Sequence, residues 1–274
     1  MPLQFQHILF PVDFSQPCVQ VVPWVAEMVK RLGSRLTVLH VWEPPYSWSG
    51  EIDPRLLEGP SNYEQLESRA QTALEEFRMA HLVLGTAEMA VRKGDPARSI
   101  TEYARTTDVD LIMMPTHGYG PFRAALLGSV TTKVIHDSDC AVWTSAHIEK
   151  LQNPAYPYRL IMCAVGDTDE SMKTIRQAAR LAEELECSLT IVHAVPPDKS
   201  ESELFSRVQS CEAFAKVPMC VERGEIASIV PETAKRYGAD LLVIGRGHAP
   251  DVLGSWRSHV HSIIRNSPCP VLTL

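Results

Sequence analysis

The sequence predicts an α/β protein made of two tandem, doubly wound, five-stranded parallel sheets. Two observations carry this reading. Short apolar runs alternate with amphipathic stretches of helical period along the chain, the pattern of a parallel sheet covered on both faces. The whole pattern then occurs a second time. Ile161-Met-Cys-Ala-Val165 lies 153 residues after Ile8-Leu-Phe-Pro-Val12, and Leu189-Thr-Ile-Val-His193 follows Leu36-Thr-Val-Leu-His40 at the same offset. Asp240-Leu-Leu-Val-Ile244 repeats Asp110-Leu-Ile-Met-Met114 at an offset of 130, and Ser267-Pro-Cys-Pro-Val271 repeats Ser138-Asp-Cys-Ala-Val142 at 129. The boundaries that follow are a first domain over 1–147 and a second over 157–274, joined by a linker from His147 to Pro157 that contains Pro154.

Each element has a local reason. His7-Ile-Leu-Phe-Pro-Val-Asp13 reads as a strand closed by an acidic residue, with Ser15 and Pro17 opening a helix that Gly33 stops after Leu32. A second strand spans Arg35–Val41, and the proline- and glycine-rich stretch 43–60 reads as a loop. A long amphipathic helix over Tyr63–His81 leads to a strand at Ala87–Arg92. Asp95 then caps a helix that has Pro96 in its first position. Asp110–Met114 is the fourth strand, short and apolar as expected for one buried on both faces. A glycine loop follows it, then a helix over Ser129–His136 capped by Ser129, and a fifth strand at Cys140–Thr144. The drop in repeat offset falls where the first half has its proline-rich loop and long helix; the second half keeps a shorter helix, about Glu201–Lys216. The fifth strands, Ala141–Thr144 and Val271–Leu274, are apolar edges. Pairing them with each other, as an internal pseudo-dimer, would hide both.

Composition narrows the function. The chain has 274 residues, 45% of them hydrophobic and 22% charged, which suits a soluble globular protein. A net charge of −7 argues against nucleic acid or an anionic membrane as partner. The first residues lack the basic start and apolar core of a signal peptide, and no apolar run approaches the ~20 residues of a membrane span. The seven cysteines are odd in number and include no C-x-x-C pair. A reduced, cytoplasmic protein is expected.

The chemistry concentrates on Met114-Pro115-Thr116-His117-Gly118, then nine residues, then Gly128-Ser129. This is a strand exit, a flexible loop and the start of a helix whose unpaired N–H groups face the loop. In a doubly wound sheet, ligands bind beyond the carboxyl ends of the strands where the winding reverses. A reversal between strands 1 and 4 would gather Asp13, the end of strand 2 at Val41, and the loop from Pro115 to Ser129. A carboxylate at one end can take ribose or base, and amides at the other can take phosphates. The same residues also allow a plainer reading, in which Asp13 caps a helix and the glycines make a long turn.

Pro-Val-Asp13-Phe-Ser and His-Gly118-x9-Gly128-Ser129-Val130, with the Val-Ile-His-Asp-Ser-Asp-Cys tail into strand 5, resemble the motifs of the universal stress protein family. The resemblance covers the chain as two tandem family domains. It implies strand order 3-2-1-4-5 and an adenine nucleotide alpha hydrolase-like fold. It further implies ATP, with Mg²⁺, held by Pro11, Val12, Asp13, Val41, Met114, Pro115, Gly118, Gly128, Ser129, Val130 and Thr131. The function it implies is that of a nucleotide-binding sensor or regulator of the stress response. The alternatives are an interaction protein without nucleotide and, less favoured, a slow ATPase. Protein partners are unnamed by the sequence, and a homodimer of such chains is left open.

Two departures from the family pattern matter. The first motif glycine is Pro115, which removes an N–H and stiffens the strand exit. In the second half Gly166 stands opposite Asp13, His248 opposite Gly118, and Arg257-Ser258 opposite Gly128-Ser129. That half is expected not to bind ATP. No metal spacing joins His117, His136, His259 and His261, no G-x-S-x-G elbow surrounds Ser129, and no Walker motif is present. Catalysis beyond weak hydrolysis is not expected.

Overall fold

A computed structural model describes residues 5–43, 61–82, 87–118, 127–145, 148, 158–166, 168, 170–195, 203–246 and 255–274. Tyr46 and Trp48 in the proline-rich stretch, most of the linker, and residues 119–126 lie outside the described residues, as do Asp167 and His248. The first half runs β1 (His7–Val12), α1 (Gln16–Leu32), β2 (Arg35–Trp42), α2 (Ser61–His81), β3 (Glu88–Lys93), α3 (Pro96–Thr106), β4 (Leu111–Pro115), α4 (Ser129–Asp137) and β5 (Ala141–Ser145). The second runs β6 (Leu160–Val165), α5 (Ser171–Glu184), β7 (Ser188–Val195), α6 (Glu203–Ser210), β8 (Met219–Arg223), α7 (Ile226–Tyr237), β9 (Leu241–Ile244), α8 (Ser255–Asn266) and β10 (Val271–Thr273).

Each half has the order 3-2-1-4-5, and the two fifth strands pair. The result is one ten-stranded sheet, β3-β2-β1-β4-β5-β10-β9-β6-β7-β8, rather than two separate ones. β5 and β10 run antiparallel, with Leu272 opposite Trp143, while every other neighbouring pair is parallel. The apolar edges anticipated from the sequence are thereby covered. Trp24 packs at 5.8 Å from both Trp143 and Tyr158, and Arg31 Nη1 donates to Leu185 O at 3.2 Å, so the join is made by side chains as well as by the ladder.

Alternation along the strands splits the core into two layers. Ile8 and Phe10 of β1 face Trp24, Met28, Phe77 and Ile175, the side of α1, α2, α5 and α6. Leu9 faces the other side with Ile100, Val134, Val230 and Ile263 from α3, α4, α7 and α8. The repeated Asp before strand 4 also has a task. Asp110 Oδ2 accepts Gln6 N and His7 N, both at 2.9 Å, and Asp240 Oδ2 accepts Arg159 N and Leu160 N at 2.8 and 3.0 Å. Each carboxylate therefore anchors the entry of the central strand of its half.

Three local expectations are corrected. α6 ends at Ser210, not near Lys216: short-range bonds such as Phe214 N to Cys211 O at 2.8 Å turn the chain toward β8. Ser129 does not cap α4; it is the first helical residue, and Gly128 holds the cap position. Ser15 sits at the cap of α1 but makes no side-chain cap bond; its own N–H donates to Asp13 Oδ1.

Candidate functional site

β1 ends at the centre of its half, and the winding reverses between it and β4. Just past the strand, Phe14 adopts φ 63°, an uncommon conformation for a residue with a side chain. That turn sets Asp13 at the mouth of the crevice. Asp13 Oδ1 accepts the Ser15 N–H at 3.0 Å and the Cys18 thiol at 3.0 Å. Burial, followed by the neighbouring Asp13 charge, pushes the Cys18 thiol pKa well up, so it remains a hydrogen-bond donor. The carboxylate is oriented by one oxygen and presents the other.

That other oxygen meets Gly118. A Cβ built on Gly118 would lie 2.2 Å from Asp13 Oδ2. Gly118 has no left-handed φ, so close approach, and not backbone freedom, is what requires glycine here. Two residues 105 positions apart in the chain thus face each other across the crevice.

On the β2 side, His40 Nδ1 donates to Val12 O at 2.9 Å and ties the ends of β1 and β2 together beside Val41. The Phe14 ring covers His40 at 4.3 Å and Phe77 at 5.7 Å. Burial lowers the His40 pKa, opposed by its bond to Val12. Pro11 and Val12 are buried in β1, so what they can offer a ligand is main chain.

On the β4 side, Met114 and Pro115 are buried at the strand exit, and the Thr131 hydroxyl donates to Pro115 O at 3.0 Å. Gly128 N donates to Thr116 O at 2.8 Å, which brings the start of α4 back against the strand. A Cβ at Gly128 would lie 3.3 Å from Thr116 O and 3.4 Å from His117 Cα, a tight fit. The first bond within the helix is Thr132 N to Gly128 O at 2.8 Å, so the amides of Ser129, Val130 and Thr131 have no partner inside α4. Such a terminus favours an anion. Pro115 causes no break, because the strand exit needs no positive φ and its carbonyl is held by Thr131. Lys133, one candidate for meeting phosphate charge, pairs with Asp95 at 3.7 Å on the surface.

The structure therefore brings Asp13 to Gly118, Val41 to the β1 terminus, and Gly128–Thr131 to Pro115. Sequence reading passed over Phe14, His40 and Cys18, which orient these groups. The repeat carried a signal for one of them: His193 stands where His40 does, and its Nδ1 likewise bonds the strand-one carbonyl, Val165 O, at 3.1 Å. It also passed over a cation–aromatic cluster at the carboxyl edge of β2 and β3, where Lys93 Nζ lies 3.9 Å from the Tyr63 ring centre and 5.7 Å from that of Trp42. In the second half Gly166 offers no carboxylate, and Ser171 and Thr168 hydroxyls occupy the turn after β6.

Comparison with known proteins identifies the family. Residues 4–145, 157–216 and 206–274 match the Universal stress protein family. Universal stress protein A homolog 1 of Coxiella burnetii is 31% identical over 147 residues, which are 52% of this chain and 98% of that protein. A universal stress protein of Mycobacterium tuberculosis is 23% identical over 277 residues, covering 97% of this chain and 95% of its own. The crystal structure of a universal stress protein from Archaeoglobus fulgidus superposes with a TM-score of 0.74 at 22% identity, over 98% of both chains, and so shares the fold. With family matches that span both halves, and with the 31% identical Coxiella burnetii protein covered over 98% of its length, the chain belongs to the universal stress protein family, as a tandem member.

Proposed function

We propose that the protein is a nucleotide-dependent sensor or regulator of the stress response, binding ATP with Mg²⁺ in its first half alone. The observation that carries this reading is the opposition of Asp13 Oδ2 and Gly118 across the β1–β4 crevice, where a side chain at 118 would collide with the carboxylate. Asp13 and the main chain near Val12 and Val41 would take the adenosine moiety. The amides of Ser129, Val130 and Thr131, with Gly118 and Gly128 allowing close approach, would take the phosphates. The second half lacks the carboxylate at Gly166 and serves the fold and the β5–β10 join. The ligand brings Mg²⁺ with it. Turnover, if any, is slow: the chain carries no Walker motif and no G-x-S-x-G elbow. A cytoplasmic setting suits such a regulator. No helix among the described residues is long and apolar enough to cross a membrane.

The test is calorimetric titration of the full chain with ATP–Mg²⁺, repeated on Asp13→Ala and Gly128→Arg. Binding by the wild type, weakened about tenfold or more in both variants, is the expected result. Absence of heat with the wild type rejects the reading, and unchanged binding in both variants moves the site elsewhere.

A further inference from the structure

Arg246 follows β9 where Thr116 follows β4, yet the two side chains make different contacts. Thr116 stays in its own half, its hydroxyl donating to Ser145 O at 3.3 Å. Arg246 crosses the join. Its Nη1 donates to Ser138 O and its Nη2 to Cys140 O, both in the first half. Its main chain is held by Arg246 N to Leu274 O at 3.0 Å, and its Nε is buried with no partner among the described residues. The guanidinium is largely buried, and burial lowers its pKa, opposed by Cys140 and Asp139. It is thus committed to two carbonyls and bridges them as a fork, which a point charge cannot imitate.

What the fork grips is the far end of α4. Ser138 is the C-cap of that helix, and the helix begins at Gly128 and Ser129, the phosphate end of the proposed site. Over nine residues the two ends are roughly 13 Å apart, and a rigid helix transmits a shift from one to the other. A cation at the C-terminus also complements the helix dipole that favours an anion at the N-terminus. Among the described residues the grip is one-sided. At the matching place in the second half, the carbonyl of Cys269 accepts the hydroxyl of Ser267 from its own half at 2.7 Å. The fold can therefore close this corner without an arginine. Arg246 also lines a cleft of about 710 Å³ between the halves, together with Arg105, Asp139 and Lys173.

We infer that Arg246 is a positioning residue through which the second half sets α4, and with it the amides that take the nucleotide phosphates in the first. The inference rests on the nucleotide reading above. It gives the half without a nucleotide motif a task in the other half's binding.

The experiment compares wild type with Arg246→Gln, titrating each with ATP–Mg²⁺ and, separately, with adenosine. The expected result is a loss of about threefold to thirtyfold for ATP, with adenosine changed less than about twofold. Arg246→Lys should resemble Arg246→Gln, because a lysine cannot bridge both carbonyls, and it replaces that variant if the glutamine protein does not fold. Unchanged ATP affinity, or equal losses for ATP and adenosine, overturns the inference while leaving the nucleotide site standing. A wild type that binds neither ligand overturns the functional reading and this inference with it.

Discussion

Gly118→Ala is the smallest change that tests how the crevice is built. The new methyl would stand 2.2 Å from Asp13 Oδ2 and 3.4 Å from its Cγ. An ordinary carbon–oxygen contact is about 3.3 Å, so the oxygen must retreat by roughly 1 Å. The carboxylate moves as a unit, and Oδ1 is already bonded to Ser15 N and Cys18 Sγ, each at 3.0 Å. A displacement of that size takes one or both bonds past useful length. Hydrogen bonds to charged groups contribute about 1.5–3 kcal/mol. Asp13 is exposed, so water replaces part of the loss and stability should fall by only about 1 kcal/mol. Ligand binding has no such substitute, and ATP affinity should fall by about tenfold to a hundredfold. Backbone strain does not confuse the result, because residue 118 is not left-handed. Calorimetry with ATP–Mg²⁺ gives the affinity and thermal denaturation gives the stability. An affinity within about twofold of wild type, with an intact fold, would refute the argument that Asp13 and Gly118 form one site.

Three further outcomes follow from the rest of the fold. Asp110→Ala strips two N–H groups of their acceptor and should cost about 2–4 kcal/mol in urea unfolding; Asp240→Ala, whose carboxylate is more deeply buried, should cost at least as much. Leu272→Asp puts a carboxylate into the fully buried β5–β10 ladder opposite Trp143 and should cost about 4 kcal/mol or more, seen as loss of the cooperative transition at room temperature. Burial holds the pKa values of His7, His40 and His261 below their usual 6.5. Below that pH the unfolded chain binds more protons than the folded one. Stability should thus be fullest above pH 6.5 and fall as the pH drops beneath it, and His7→Gln should flatten the slope of urea midpoints against pH.

Most of the scaffold was legible in the residues. The repeat of Ile8–Val12 at Ile161–Val165, and of Asp110–Met114 at Asp240–Ile244, specifies two copies of one unit. Hydrophobic period and caps such as Gly33 and Asp95 specify the elements, because they act through neighbours in sequence. Ser129 and α6 were misjudged because caps and helix ends depend on a residue or two of backbone geometry, which weak local preferences do not determine.

The sequence by itself determined a doubled α/β unit, edge strands apolar enough to require a partner, and a glycine loop kept in one half only. The physical reason is that each of these is a property of local pattern or of comparison between repeats. Tertiary structure alone decided that Asp13 faces Gly118 and that Arg246 of one half grips α4 of the other. Those contacts join residues that are neighbours only once the sheet has wound both ways and the two halves have met, and no spacing along the chain encodes them.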